Sequence, residues 1–139
     1  PDGLNIFKPP YSRITAIDMN TGEHLWWKPV GDTPDAVLNH PDLKGMDIPN
    51  TGYGLRVAQM VVTPNLLIHT GNASDGTPML YGVDKKTGAR LASIEAPAES
   101  SYGIMTYVHK GKQYLMLQTG PKLTAMAILD DAVSDGDAH

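Results

Sequence analysis

The chain has 139 residues, a formal net charge of -4 and 41% hydrophobic residues: one domain's worth of sequence, with enough apolar material for a core. It has no cysteine, which excludes disulfide frameworks, thiolate nucleophiles and Cys-ligated zinc or iron–sulfur sites. Mild acidity without a Lys/Arg cluster argues against a nucleic-acid partner, and no apolar run approaches the roughly 20 residues that span a bilayer.

Taken in order, the chain offers short β-type runs separated by Gly, Pro, Asn, Asp or Lys: "YSRITAID", "RVAQMVV", "NLLIHTG", "PMLYGVD", "RLASIEA", "GIMTYVH", "QYLMLQT" and "KLTAMAIL". No window of a dozen residues carries a helical stripe. The expected fold class is all-β, interrupted by one long irregular segment from Pro29 to about Gly54. The end of the chain, "DDAVSDGDAH", is acidic, small and polar, and residues 130–139 are expected to be a disordered tail. No signal peptide is visible. The start at Pro1 fits a processed chain, an internal piece or an incomplete gene product.

The most patterned stretch is "AIDMNTGEHLWW", residues 16–27. Ala16 and Asp18 share one strand face by the two-residue period. Asn20, Thr21 and Gly22 make a turn, Asn and Gly both tolerating positive φ. Asp18 can accept from turn N–H groups and from the Thr21 hydroxyl. The strand then returns through Trp26 and Trp27, the only two tryptophans. A weaker copy, "YGVDKKTGARLA", keeps Asp84, Thr87 and Gly88 in the same register, with Gly82 for Ala16 and Ala92 for Trp26. A repeated hairpin points to a repeat architecture, and four-stranded units repeated radially make a β-propeller. The copies stand 66 residues apart (Asp18 to Asp84), beyond the usual repeat of about 40 to 50, with residues 29–54 as the natural insertion.

The pattern Ala-x-Asp-x-x-Thr-Gly-x-x-x-Trp resembles the tryptophan-docking motif of the pyrroloquinoline quinone (PQQ) dehydrogenases, the eight-bladed quinoproteins. "MTYVHKGKQYLMLQTG" resembles their C-terminal signature through Met105, Thr106, Tyr107, Gly111, Lys112, Gln113, Tyr114 and Gly120. "FKPPYSRITAIDMNTGEHLWW" and "GDTPDAVLNHPDLKG" are similar to the membrane glucose dehydrogenase-like branch. The likeness covers about residues 6–129. Ser100 to Ile104 departs from the family's glycine-rich stretch, Gly120-Pro121 shortens its Gly-Gly run, and the second motif lacks its Trp.

The resemblance implies a partial β-propeller of two to three four-stranded antiparallel blades: an outer hairpin over 11–28, a loop over 29–54, a full blade over 55–96 and a closing blade over 101–129. Trp26 would lock neighbouring blades together and Trp27 would point away. In the family a strand from the N-terminal part of the chain completes the last blade, so open sheet edges imply self-association or pairing with the remainder of the propeller. The parent would oxidise a sugar, polyol or other alcohol in the periplasm, using PQQ with calcium and a catalytic Asp as general base. No position here matches that Asp or the calcium ligands, so the chain is expected to be incompetent alone. Cofactor contact falls on the starts of the innermost strands, at Gly54, Leu55, Arg56, Tyr102 and Gly103, where glycine permits close approach and Arg56 could face the acidic cofactor. A solvated or loop-pinning Arg56 is the plain alternative.

Other chemistry has less support. His24, His40, His69, His109 and His139 show no metal-ligand spacing. "NHPDLKGMD" could be a cation loop through Asn39, Asp42 and Asp47, or a helical turn capped by Asn39 with Pro41 in its first turn. The methionines read as core filler and Tyr102, Tyr107 and Tyr114 as cross-strand aromatics. Ser100 and Ser101 have no His at nucleophile spacing. The competing function is a non-catalytic binding or scaffold module built from a tryptophan-docked propeller.

Overall fold

Three antiparallel sheets follow one another along the chain in the computed structural model, which describes residues 4–53, 58–100 and 102–128. The first is the hairpin of β1 (Arg13–Ile17) and β2 (His24–Pro29). The second is a four-stranded meander of β3 (Met60–Val62), β4 (Leu66–Asn72), β5 (Pro78–Asp84) and β6 (Arg90–Glu95). The third holds β7 (Ile104–His109), β8 (Lys112–Thr119) and β9 (Lys122–Ala127), again in chain order. Small sheets with every connection a hairpin make an all-β partial propeller, the class the sequence led to expect.

Among the described residues helix is confined to the long connection between the first two sheets: one turn, α1 (Asp35–Leu38), and one 3-10 turn over Pro41–Leu43. The expected cap moves by one residue. Asn39 closes α1, its N–H donating to the Asp35 carbonyl at 2.9 Å. His40 caps the 3-10 turn, its Nδ1 accepting from the Asp42 N–H at 3.3 Å. Pro41 decides this, because the residue before a proline is held extended, as a cap must be, and His40 has φ -68 and ψ 130. In the run expected as a strand over 56–62, Ala58 and Gln59 precede the strand, which spans Met60–Val62, and 56–57 lie outside the described residues.

The two Asp-x-x-Thr-Gly hairpins have the same architecture. Ala16 pairs Trp26, with a register irregularity just after Ala16; Gly82 pairs Ala92, with the irregularity just after Gly82. Asp18 Oδ1 accepts from the N–H groups of Asn20 (2.7 Å) and Thr21 (3.3 Å). Asp84 Oδ1 accepts from those of Lys86 and Thr87, both at 2.8 Å, and from the Thr87 hydroxyl at 3.0 Å. These donors hold the Asp84 carboxyl below its ordinary range, the Thr87 N–H contributing most. The hydroxyl-to-carboxylate bond expected in the first copy is thus found in the second; the Thr21 hydroxyl accepts from the Glu23 N–H instead, at 3.2 Å. Positive φ falls on Gly22 (+77) and Gly88 (+71), and Asn20 does not share it.

Trp26 leaves its own hairpin and sits on the next one. Its Nε1 donates to the Lys85 carbonyl at 3.0 Å. Its ring covers Gly88 so closely that a Cβ there would lie 2.8 Å from Cδ2 and Cε3. Trp27, its neighbour, is 50% exposed, as alternation requires. At the corresponding place β6 carries Ala92, and all six β6 residues are exposed.

An apolar cluster joins the second and third sheets at their centre. Ile68, Leu80, Ala96, Leu115 and Leu117 are buried together, flanked by Val61, Leu66, Ile104, Met126 and Ile128. The opposite face of β4 and β5, with Leu67, His69, Tyr81 and Val83 buried, serves the first sheet and the connection that follows it. The "MTY" and "GKQY" signatures lie across from each other on β7 and β8. Tyr107 pairs and stacks with Tyr114 (centroids 5.3 Å apart), and Gln113 donates to the Thr106 hydroxyl, which donates to the Tyr114 carbonyl, both at 2.9 Å. Those residues tie the hairpin together.

Two glycine substitutions separate turn strain from sheet contact. Gly22→Ala meets no atom within 4 Å and should cost only the left-handed penalty of about 1–2 kcal/mol. Gly88→Ala has the same penalty and also collides with Trp26, so its thermal midpoint should fall well below that of Gly22→Ala. Equal midpoints would show that Trp26 adds nothing to the fit.

Candidate functional site

The connection from 30 to 53 folds back on itself. The Tyr53 N–H donates to the Val30 carbonyl (2.9 Å), the Thr51 N–H to the Thr33 hydroxyl (3.0 Å) and Asn50 Nδ2 to the Gly31 carbonyl (3.1 Å). Its near end is stitched to the second sheet: the Asp32 N–H donates to the Asn72 carbonyl at 2.9 Å, and the Asp35 N–H to the Ser74 carbonyl at 2.8 Å. Gly31 lies so close to β4 that a Cβ would stand 2.6 Å from the Asn72 oxygen. A left-handed φ of +75 and that approach both require glycine at position 31.

This folding brings Val30 and Tyr53 to one end of the second and third sheets. With Thr70, Asn72, Ser100 and Leu117 they line a cavity of about 170 Å³. Ala58 lines it too, so the lining includes the residues on either side of 54–57. The lining is apolar with neutral hydrogen-bonding groups; among the described lining residues Glu99 alone is charged.

Of the residues expected to touch a cofactor, Gly54, Leu55 and Arg56 lie outside the described residues. Tyr102 is 75% exposed. Gly103 has φ +138 and open space where a Cβ would be, so glycine there serves the backbone's shape. The Ser100 hydroxyl donates to the Gly103 carbonyl at 3.1 Å, which links this corner to the cavity wall. Among the described residues no three His, Asp or Glu side chains converge as a metal-binding group.

A second constellation escaped the sequence reading because its members are far apart in the chain. Arg90 Nη1 meets Asp32 Oδ1 at 2.7 Å and Nη2 donates to the Gly31 carbonyl at 3.2 Å. The guanidinium lies 4.1 Å over the Tyr81 ring. The Tyr81 hydroxyl is 3.1 Å from the Asn72 carbonyl and 3.3 Å from Asp32 Oδ2. His69 packs on Tyr81 with ring centroids 5.2 Å apart, and its Nδ1 is 3.0 Å from the Thr70 carbonyl. Burial, and then the Asp32 charge, push the Tyr81 phenol up to about 12. Burial is also the main cause that lowers the His69 imidazole, helped by Arg90 and opposed by the Thr70 bond.

Residues 1–115 match the family described as "PQQ: Glucose/ethanol/alcohol dehydrogenase, beta-propeller domain". The chain belongs to that family. The glycerol dehydrogenase large subunit of Gluconobacter thailandicus is 33% identical over 122 residues, covering 85% of this chain and 15% of that protein. The quinoprotein glucose dehydrogenase of Escherichia coli (strain K12) is 28% identical over 86% of this chain and 14% of its own length. A probable quinate dehydrogenase (quinone) of Xanthomonas campestris pv. juglandis is 32% identical over 85% of this chain and 15% of its own. The chain therefore spans about one seventh of these relatives. No solved structure gives a significant match. No helix among the described residues is long and apolar enough to cross a membrane.

In this propeller chain, the raised Tyr81 phenol fixes an alkaline limit. The folded state resists losing that proton, so the contribution of Tyr81 to stability is full below pH 10 and falls as pH rises from 10 towards 12. Chemical denaturation across that range should show the fall in the parent chain and a smaller one in Tyr81→Phe. Identical slopes would remove Tyr81 as its source.

Proposed function

We propose that the chain is the C-terminal portion of a PQQ-dependent dehydrogenase that oxidises a sugar, polyol or other alcohol in the periplasm, and that it needs the remainder of the propeller to do so. The family match over residues 1–115 carries this reading. Trp26 seated on Gly88 supports it as a tryptophan-docking contact, and the sheets as an outer hairpin, one full blade and one unfinished blade.

The cavity tests how much of a cofactor site the chain supplies. Its 170 Å³ is below the roughly 300–1,000 Å³ of ordinary ligand pockets, and we read its lining as one wall of a larger site. Val30, Tyr53 and Leu117 would pack against a ring system, and Thr70, Asn72 and Ser100 would offer neutral hydrogen bonds. PQQ carries carboxylates, and Glu99 on the wall would repel them; Arg56, together with Gly54 and Leu55, is the group we assign to hold them, with Tyr102 and Gly103 at the rim. When bound, PQQ with its calcium supplies the oxidising power. The general base and the calcium ligands come from the remainder of the protein, so no proton transfer is assigned to this chain.

The open edge of β9 should recruit a strand. Light scattering after size exclusion should therefore give a multimer for the chain alone and a one-to-one assembly when the missing portion of a relative's propeller is supplied. A sharply melting monomer would overturn the open-edge reading. With PQQ and calcium, the one-to-one assembly should reduce a dye with glycerol or glucose, and the chain alone should not. Arg56→Ala should weaken PQQ uptake by the assembly about 10- to 100-fold, the worth of one charged hydrogen bond. An assembly that forms yet takes up no PQQ would make the chain a scaffold module.

A further inference from the structure

The two interfaces of the second sheet are built from opposite materials. Towards the third sheet it presents the buried apolar cluster of Ile68, Leu80, Ala96, Leu115 and Leu117. Towards the first hairpin and the 30–53 connection it is held by Arg90, Tyr81 and main-chain bonds to Gly31 and Asp32. Against that polar face lies His69, only 4% exposed.

We infer that His69, Tyr81, Arg90 and Asp32 form an acid-released latch: a neutral His69 lets the 30–53 connection and the β1–β2 hairpin dock on β4–β6, and its protonation frees them while β3–β9 stay folded.

The argument is one of charge count. The Thr70 carbonyl can only accept, so the neutral ring carries its proton on Nδ1 and leaves Nε2 bare. Protonation places a second cation in the stack beside Arg90. The groups facing it are Tyr81 from β5, Arg90 from β6 and Asp32 from the connection; Met60, its partner on β3, is neutral. Among the described residues Asp32 is the one anion in the stack, and its two oxygens already meet Arg90 and the Tyr81 hydroxyl. A buried imidazolium therefore has no counter-ion of its own, and any share it takes of Asp32 loosens Arg90 from the connection. Ile68, Leu80, Leu115 and Leu117 do not feel this change, so the loss is confined to one interface.

The sign follows. His69 is harder to protonate when docked than when released, so docking is constant from about pH 6.5 up to the range where Tyr81 ionises and weakens below about pH 6.5, by at most about tenfold per pH unit. Both tryptophans lie on β2, so their emission reads the docking directly. The experiment follows tryptophan emission, far-UV circular dichroism and hydrogen exchange of β8 amides in the full chain from pH 7.5 to 4.5. The expected result is a red shift with its midpoint below 6.5, while β8 protection holds. The midpoint should coincide with that of the His69 ring protons by NMR. His69→Gln should abolish the shift, and His24→Gln, a change at an exposed hairpin histidine, should leave it in place. The latch is overturned if emission and β8 protection are lost together, if emission does not change, or if its midpoint differs from that of the ring protons. The NMR comparison needs no variant, so it decides the matter even if His69→Gln fails to dock.

Discussion

An indole lying flat on a glycine sets how the first two sheets meet. Trp26 reaches Gly88 only because that glycine has no side chain and because its left-handed backbone turns the peptide edge away. The Asp84 carboxylate fixes the same turn by gathering the N–H groups of Lys86 and Thr87 and the Thr87 hydroxyl. The turn thereby presents the Lys85 carbonyl, which the indole N–H takes. One five-residue turn is both the closure of its own hairpin and the seat for the previous one.

The same turn explains the place where stacking changes character. The second hairpin keeps the Asp, Thr and Gly that shape its turn but carries Ala92 where Trp26 stood. Its contact with the third sheet runs instead through Ile68, Leu80, Ala96, Leu115 and Leu117, nearer the middle of the sheets. Deleting an indole at the rim is tolerable there because buried aliphatic area at the centre stabilises the pair. The first interface has its indole on Gly88 and the part-exposed Arg90–Asp32 pair beside Tyr81.

The cavity lies where these two interfaces converge. Val30 and Tyr53 reach it from the connection, Thr70 and Asn72 from β4, and Leu117 from β8. Anything that moves the connection therefore changes the wall, although none of Asp32, Tyr81 or Arg90 lines the cavity.

Much of the fold was legible because its signals are local. The alternation in "PMLYGVD" and "QYLMLQT", and the Asp-x-x-Thr-Gly turns, act over a few residues, so strands and repeat register could be read from neighbours alone. His40 as a cap was misread by one position because the rule for a residue before proline outranked the ordinary preference for Asn. What remained hidden was long-range. Asp32 and Arg90 stand 58 residues apart, and nothing in either's surroundings names the other. Trp26 declared itself as an anchor, yet its seat on Gly88 follows from a pairing of sheets that a linear pattern does not encode. The sequence by itself determined the strands, the repeated hairpin and the family; the clamp, the buried His69 and the cavity wall were decided only when stacking placed distant side chains within hydrogen-bonding range.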